Sequence, residues 1–255
     1  MVILENLSIS YPSADGSLPA LGGFSAVFET GGITAILGPS GCGKTSLLNV
    51  IAGLKKPSAG AVFVEGTPVS GARKDVAVIF QDFGLLPWKT AAANVELPLL
   101  LNKVPAKERK ERTRALLDEF GLKDFACYYP GQLSGGMKQR LAVSRSLASS
   151  PKLLLMDEPF SSLDALSRED AQNLLLSLHK KHPLTIVIVT HSIEEAVFLA
   201  DDIFIIKGRN PGKLATRIQN SPHVNARISE KSFRDFPGFQ EMCRRIREIM
   251  EESLP

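Results

Sequence analysis

The chain has 255 residues, 44% of them hydrophobic and 22% charged, enough apolar material for a sizeable core in one compound domain or two intimate ones. Thirty Lys+Arg against 27 Asp+Glu leave a formal net charge of +3, too small to argue by itself for a nucleic-acid partner. Cys42, Cys127 and Cys243 are odd in number and far apart, so they suggest neither a disulfide framework nor a zinc site, and a reducing compartment fits.

The opening residues Met1 to Asn6 lack the basic start and apolar stretch of a secretory signal. No later apolar run approaches a bilayer-crossing length, and the expectation is a chain that stays soluble in the cytosol. There is no internal repeat. Short β-branched runs alternate with segments of helical periodicity, the pattern of an α/β fold with a mostly parallel sheet.

The first telling run is Ile33-Thr34-Ala35-Ile36-Leu37, which leads into Gly38-Pro39-Ser40-Gly41-Cys42-Gly43-Lys44-Thr45 and then the helical Ser46 to Ala52. This matches G-x-x-x-x-G-K-[ST] in its required context, after a strand and before a helix. Glycines let the backbone fold tightly and turn its N–H groups inward. Those donors, the positive end of the helix dipole and the Lys44 ammonium balance the charge of a triphosphate, and the Thr45 hydroxyl is placed to ligate Mg²⁺. Cys42, inside the loop and near a helix N-terminus, is expected to be a reactive thiol whose alkylation inhibits nucleotide binding.

The next run, Val76 to Phe80, leads into Gln81. Beyond it Pro87, Pro98 and Pro105 are expected to punctuate helical segments such as Ala106 to Phe120, where Leu116, Leu117 and Phe120 form an apolar stripe. The mixed charges of Lys107 to Arg112 read as a solvated helix face. Leu133-Ser134-Gly135-Gly136-Met137 opens a further helical segment, Lys138 to Ala148. Ser134 is a good N-cap, and the glycines leave backbone N–H groups uncovered, so the element reads either as a second anion site or as a flexible turn before a helix.

Leu153 to Met156 has the all-apolar character of a strand buried on both faces, and it runs into Asp157, Glu158 and Pro159. Two buried acids need compensation, which a metal supplies. On that reading Asp157 holds Mg²⁺, directly or through water, and Glu158 orients and deprotonates the water that attacks the γ-phosphate; an acid pair exposed to solvent is the alternative. Thr185 to Val189 then leads into Thr190 and His191. Ligands of an open parallel sheet bind beyond the carboxyl ends of its strands, so these four strand ends are expected to form one site. The last helical segment is Phe239 to Glu251.

With these motifs in this order, the chain resembles the ATPase subunit of an ATP-binding cassette (ABC) transporter over roughly its first four-fifths. Gly38 to Thr45 resemble the Walker A motif, Gln81 the Q-loop, Leu133 to Met137 the signature, Leu153 to Glu158 Walker B, Ser162-Leu163-Asp164 the D-loop, and His191 the switch histidine. The resemblance implies a P-loop NTPase core with a mostly parallel sheet, an N-terminal antiparallel β subdomain and an inserted helical subdomain. The core would occupy residues 1–81 and 151–220, the helical subdomain 82–150, and a short C-terminal tail 221–255. The bound species would be ATP and Mg²⁺, with Thr45, Gln81 and Asp157 toward the metal, and Glu158, His191, Gln81 and Lys44 toward catalysis. Gly38, Pro39, Ser40, Gly41, Cys42, Gly43, Lys44, Thr45 and Ser46 would contact the nucleotide. Ser134, Gly135 and Gly136 would reach it from the second copy of a head-to-tail homodimer, and Asp164 would link the two composite sites unless it is an ordinary turn former. Tyr11 occupies the place of the family's adenine-stacking aromatic, the alternative being a core aromatic.

Gln81-Asp82-Phe83-Gly84-Leu85-Leu86-Pro87-Trp88, Gly135 to Arg140, and Met156 to Phe160 followed by Leu163 to Arg168 resemble the importer branch serving nitrate, sulfonate, taurine and thiamine-precursor uptake. That branch implies integral membrane permease subunits, an extracytoplasmic solute-binding protein as an indirect partner, no nucleic acid, and a peripheral location on the cytoplasmic face of the inner membrane. Trp88 would lie near the permease contact or else be buried in the subdomain. Two departures stand out: Gly31-Gly32 where the family usually has Gly-Glu, and a tail after Gly208 that matches the branch poorly. Rival readings are a soluble ABC ATPase acting on nucleic acid or the ribosome and a P-loop kinase. The first generally fuses two cassettes or carries a long coiled-coil insertion, and the second leaves the Ser134 element and His191 without a purpose.

Overall fold

The computed structural model describes residues 1–13, 16–182, 184–208, 211–220 and 233–251. It divides into two compact units, one of Met1–Arg73 with Pro183–Pro255 and one of Lys74–His182.

In the first unit, β1 (Val2–Ser13) and β2 (Gly16–Phe28) pair antiparallel, and β4 (Ala59–Val64) and β5 (Thr67–Pro68) extend them into a sheet of order β2-β1-β4-β5. Along β1 the buried side chains are Val2, Leu4, Leu7 and Ile9, an alternation that skips one residue. The skip coincides with a register shift between Leu4 and Leu7 and with Asn6 at φ 44°. An extra residue with left-handed backbone restores the inward face beyond it, and asparagine tolerates that conformation better than most.

The same unit holds a second set of strands in the order β10-β9-β3-β8. Here β3 (Ile33–Leu37) runs parallel to both β8 (Thr185–Thr190) and β9 (Asp202–Lys207), while β10 (Lys213–Gln219) is antiparallel to β9. Every residue of β3 and β8 is buried. That is why both read as continuous apolar runs rather than as alternating ones. Helices α1 (Lys44–Ile51) and α6 (Ile193–Leu199) follow β3 and β8. The closing helix, Pro237–Glu251, buries Phe239, Cys243 and Ile246, spaced as one helical face, and Phe239 meets Phe233, which in turn meets Phe198 of α6. Of the expected tail, residues 221–232 and 252–255 lie outside the described residues.

The second unit contains the parallel pair β6 (Val76–Ile79) and β7 (Leu153–Asp157) with helices α2 (Ala91–Leu101), α3 (Ala106–Glu119), α4 (Gly135–Ala148) and α5 (Ala165–Lys181). Thr90, Ser134 and Asp164 cap α2, α4 and α5 by accepting hydrogen bonds from Ala93, Met137 and Ser167 N–H. The proline reading needs one correction: Pro105 precedes α3 and Pro87 lies in a loop, but Pro98 sits inside α2, which ends at Leu101. Proline removes one hydrogen bond there, and burial of Ala91, Val95 and Leu99 on the same helix outweighs the loss. Leu117 and Phe120 of the expected stripe are buried.

Candidate functional site

In the first unit the glycine loop and His191 leave neighbouring parallel strands at the same end, because Leu37 is in register with Thr190. The loop is wound by Gly41 at φ 82° and Gly43 at φ 96°. A Cβ on Gly43 would stand 2.6 Å from the Ala20 carbonyl oxygen, whereas one on Gly41 would meet nothing within 4 Å. Lys44 is buried, and its Nζ donates to the carbonyls of Gly38 (2.8 Å) and Pro39 (3.0 Å). The ammonium is thus held against the loop. No acidic residue occupies the first turn of α1, so the lysine and the helix dipole keep a positive potential suited to an anion. Thr45 is exposed and Ser46 buried.

Cys42 does not fit the expectation of a reactive thiol. It is 0% exposed, with Sγ on the side of Gly38, where an added Cβ would come within 2.7 Å of it. A thiol packed behind the loop is inert, and the Cys42 N–H donates to the Pro39 carbonyl (3.4 Å). Tyr11, at 37% exposure, is not a core aromatic. Its hydroxyl shares a hydrogen bond with Ser46 Oγ (2.8 Å), and Lys55 Nζ lies 3.7 Å from its ring centroid. One helix turn thus ties the ring to the phosphate loop. His191 is exposed on a turn that its neighbours fix: Ser192 N–H donates to Thr190 Oγ1 (3.0 Å), Thr190 Oγ1 donates to Glu195 Oε2 (2.7 Å), and Glu195 N–H donates to Ser192 Oγ (3.2 Å).

In the second unit Ile79 is in register with Met156, so Gln81 and the acid pair also follow neighbouring strands. A cleft of about 660 Å³ there is lined by Phe80, Gln81, Asp82, Asp157, Ser161 and Ser162. Asp157 belongs to the end of β7 and is 6% exposed; Glu158 is half-buried. This is not an acid pair left in solvent. Glu158 has φ 44°, a costly backbone for a branchless acid, and its carbonyl accepts from Ser161 N–H (3.2 Å) and Ser161 Oγ (2.9 Å). Strain of this kind is retained where the surrounding turn imposes it and an oriented side chain is needed. An amide, carboxylates and hydroxyls on one cleft form an oxygen donor set of the type a hard cation takes.

The glycines read as a turn belong to α4 itself, which starts at Gly135 rather than at Lys138. Ser134 Oγ accepts from Met137 N–H (3.3 Å), and the first turn has no acid. A cleft of about 510 Å³ is lined by Ser134, Gly136, Arg140, Ser167 and Asp170, among others. Asp164 caps α5 from an exposed position, and the hydrogen bonds from Ser167 hold its carboxyl below the usual range. Trp88 is 70% exposed, which removes the reading of a buried hydrophobe. Three residues that pattern reasoning passed over now stand beside named ones: Lys55 on Tyr11, and Asn94 and Arg145 on the loop after Gln81.

A family model described as ABC transporter matches residues 21–161. The chain belongs to the ABC transporter family. This ABC protein is 44% identical over 200 residues to the taurine import ATP-binding protein TauB of Yersinia pestis bv. Antiqua, covering 78% of each chain. It is 43% identical over 240 residues to TauB of Pseudomonas putida strain KT2440, covering 93% of this chain and 90% of that one. Among solved structures it resembles a dimeric ATP-binding cassette in a post-hydrolysis state bound to ADP and Pi, with TM-score 0.77 and 33% identity over 86% of this chain and 99% of that one. It also resembles cbiO1 of Clostridium perfringens, part of an ABC transporter complex, with TM-score 0.76 and 26% identity over 96% and 98%. The expected family and P-loop α/β fold, with its antiparallel N-terminal sheet, are borne out. Among the described residues, no helix of this ABC protein is long and apolar enough to cross a membrane.

Proposed function

We propose that this chain binds ATP with Mg²⁺ and hydrolyses it to energise an ABC importer of taurine, a sulfonate, nitrate or a similar small solute. It would work as a head-to-tail pair of copies on integral membrane permease subunits at the cytoplasmic face of the inner membrane, fed by an extracytoplasmic solute-binding protein. The observation that carries the reading is the loop from Gly38 to Thr45, whose Gly38 and Pro39 carbonyls hold the buried Lys44 ammonium at the start of α1, a helix with no acid in its first turn. The TauB relatives support the solute class by their names.

In this reading the loop's N–H groups and Lys44 grip the β- and γ-phosphates, and Tyr11 receives the adenine ring. Thr45, Gln81 and Asp157 would hold Mg²⁺, which when bound neutralises charge on the β- and γ-phosphate oxygens. Glu158 orients a water and takes its proton as that water attacks the γ-phosphorus, while the bond to the β–γ bridging oxygen breaks and ADP leaves. His191 donates a hydrogen bond to the γ-phosphate. Ser134, Gly135 and Gly136 bind the γ-phosphate held by the partner copy, and Asp164 communicates between the two sites. The division into a core of 1–81 and 151–220, a helical subdomain of 82–150 and a tail remains part of this reading.

The test is purification from membranes of the native source in mild detergent. An importer subunit emerges with a multi-span protein and releases phosphate from ATP. Recovery alone, with a phosphorylated small-molecule product, would replace the reading with that of a P-loop kinase.

A further inference from the structure

The segment after Gln81 is fastened in an unusual way. Phe83 has φ 65° and is buried, and its N–H donates to the Phe80 carbonyl at 2.8 Å. A phenylalanine in left-handed backbone is strained, so something outside the turn must hold it there. Arg145, in the last turn of α4, supplies the hold: its two terminal nitrogens donate to the carbonyls of Gly84 (2.6 Å) and Phe83 (2.9 Å). Burial draws the guanidinium below its ordinary pKa, with the charge of Asp82 opposing. Asp82 also accepts from Gly84 N–H at 3.0 Å, closing the turn from within.

Farther along, the loop has a separate anchor. Asn94 of α2, 0% exposed, accepts from Leu86 N–H (2.9 Å) and donates to the carbonyls of Leu86, Lys89 and Thr90. Arg145 therefore anchors the stretch nearest Gln81 from another element, and it stands on the helix that Ser134 opens.

We infer that Arg145 is a positioning residue for Gln81, a forked latch that makes the loop carrying Gln81 and helix α4 one mechanical piece. The inference rests on the reading of Gln81 as a metal-side residue. Its consequence is that a push on the exposed Trp88 end of the loop is passed to the Ser134–Gly136 end of α4 instead of being absorbed by the loop. Lysine cannot replace this latch, because an ammonium lacks the planar pair of donors that meets two neighbouring carbonyls.

The experiment compares wild type, Arg145→Lys and Arg145→Ala, each also in a Gln81→Ala background, with two readouts. One is amide hydrogen exchange of the peptide covering 82–86 in nucleotide-free protein; the other is the Mg²⁺ concentration for half-maximal ATPase. The latch gives faster exchange in both Arg145 variants and a Mg²⁺ requirement raised by about tenfold, the scale of a lost outer partner. In the Gln81→Ala background the Arg145 change then adds nothing to the Mg²⁺ requirement. Unchanged exchange at 82–86, or an equal Mg²⁺ shift with and without Gln81, overturns the inference. A Gln81→Ala protein with wild-type Mg²⁺ dependence would instead remove Gln81 from the metal and the positioning role with it, while the exchange readout still reports on the loop. Should Arg145→Ala fail to fold, Arg145→Lys carries the comparison.

Discussion

Alanine at Gly43 and at Gly41 separates two physical effects that share one loop. Both glycines have positive φ, 96° and 82°, so alanine at either must adopt left-handed backbone at about 1–2 kcal/mol. Only Gly43 adds a collision, since its Cβ would stand 2.6 Å from the Ala20 carbonyl oxygen and 3.2 Å from its carbon. That neighbour is backbone in β2 and cannot swing away, so an overpacking cost of about 1–3 kcal/mol is added. Gly43→Ala should then cost about 2–5 kcal/mol against about 1–2 for Gly41→Ala. For a chain of this size each kcal/mol lowers Tm by about 2–4 °C. Thermal unfolding followed by circular dichroism reads the difference, and titration with a fluorescent ATP analogue reads whether the surviving loop still binds. Equal Tm losses for the two variants would refute the crowding argument, and undiminished ATP affinity in a folded Gly43→Ala protein would refute the assignment of the loop to phosphate.

Tyr11→Ala should raise the Kd for ATP by about two- to tenfold, the scale of an aromatic stacking contact, and leave the Kd for inorganic triphosphate unchanged. Isothermal titration with both ligands checks this; an equal loss for both would place Tyr11 on the loop and not on the base. A thiol reagent at pH 8 should label Cys127, which is exposed, well before the buried Cys42 and Cys243; mass spectrometry showing Cys42 modified first would contradict the packing behind Gly38. Burial, with the charge of Glu194, pushes the Cys243 thiol from 9.0 to about 11. The fold therefore retains a proton that the unfolded chain releases, so stability is undiminished below about pH 9 and falls as the pH rises from there toward 11. Comparison of Tm at pH 8 and pH 10.5 should show a larger drop for wild type than for Cys243→Ala, and identical drops would remove the buried thiol as the cause.

Much of this was legible because of where the strands lie. Strands β3, β7 and β8 are buried along their whole length, so each reads as a bounded apolar run whose polar successor marks the strand end. The same logic fails for β1, where the bulge at Asn6 breaks the period of two, and that sheet was expected only from family resemblance. It fails also for α4: Gly135 and Gly136 look like turn residues, yet Ser134 caps the helix ahead of them. Burial of Cys42 depends on the face it turns toward Gly38, which no spacing encodes. Arg145 and Asn94 left no trace in the pattern either. What they bind are loop carbonyls, and every residue has one.

The claim at the centre is that Glu158, half-buried and carried on left-handed backbone, activates the water that cleaves ATP. Glu158→Gln keeps the size and the hydrogen-bonding reach of the side chain and removes its basicity. The direct measurement is phosphate release and nucleotide content of purified Glu158→Gln protein supplied with ATP and Mg²⁺. The expected result is turnover lower by about 10²–10⁴-fold, with intact ATP retained in a dimer that elutes early from a sizing column. Hydrolysis at the wild-type rate, or a variant that no longer holds ATP, would contradict the account.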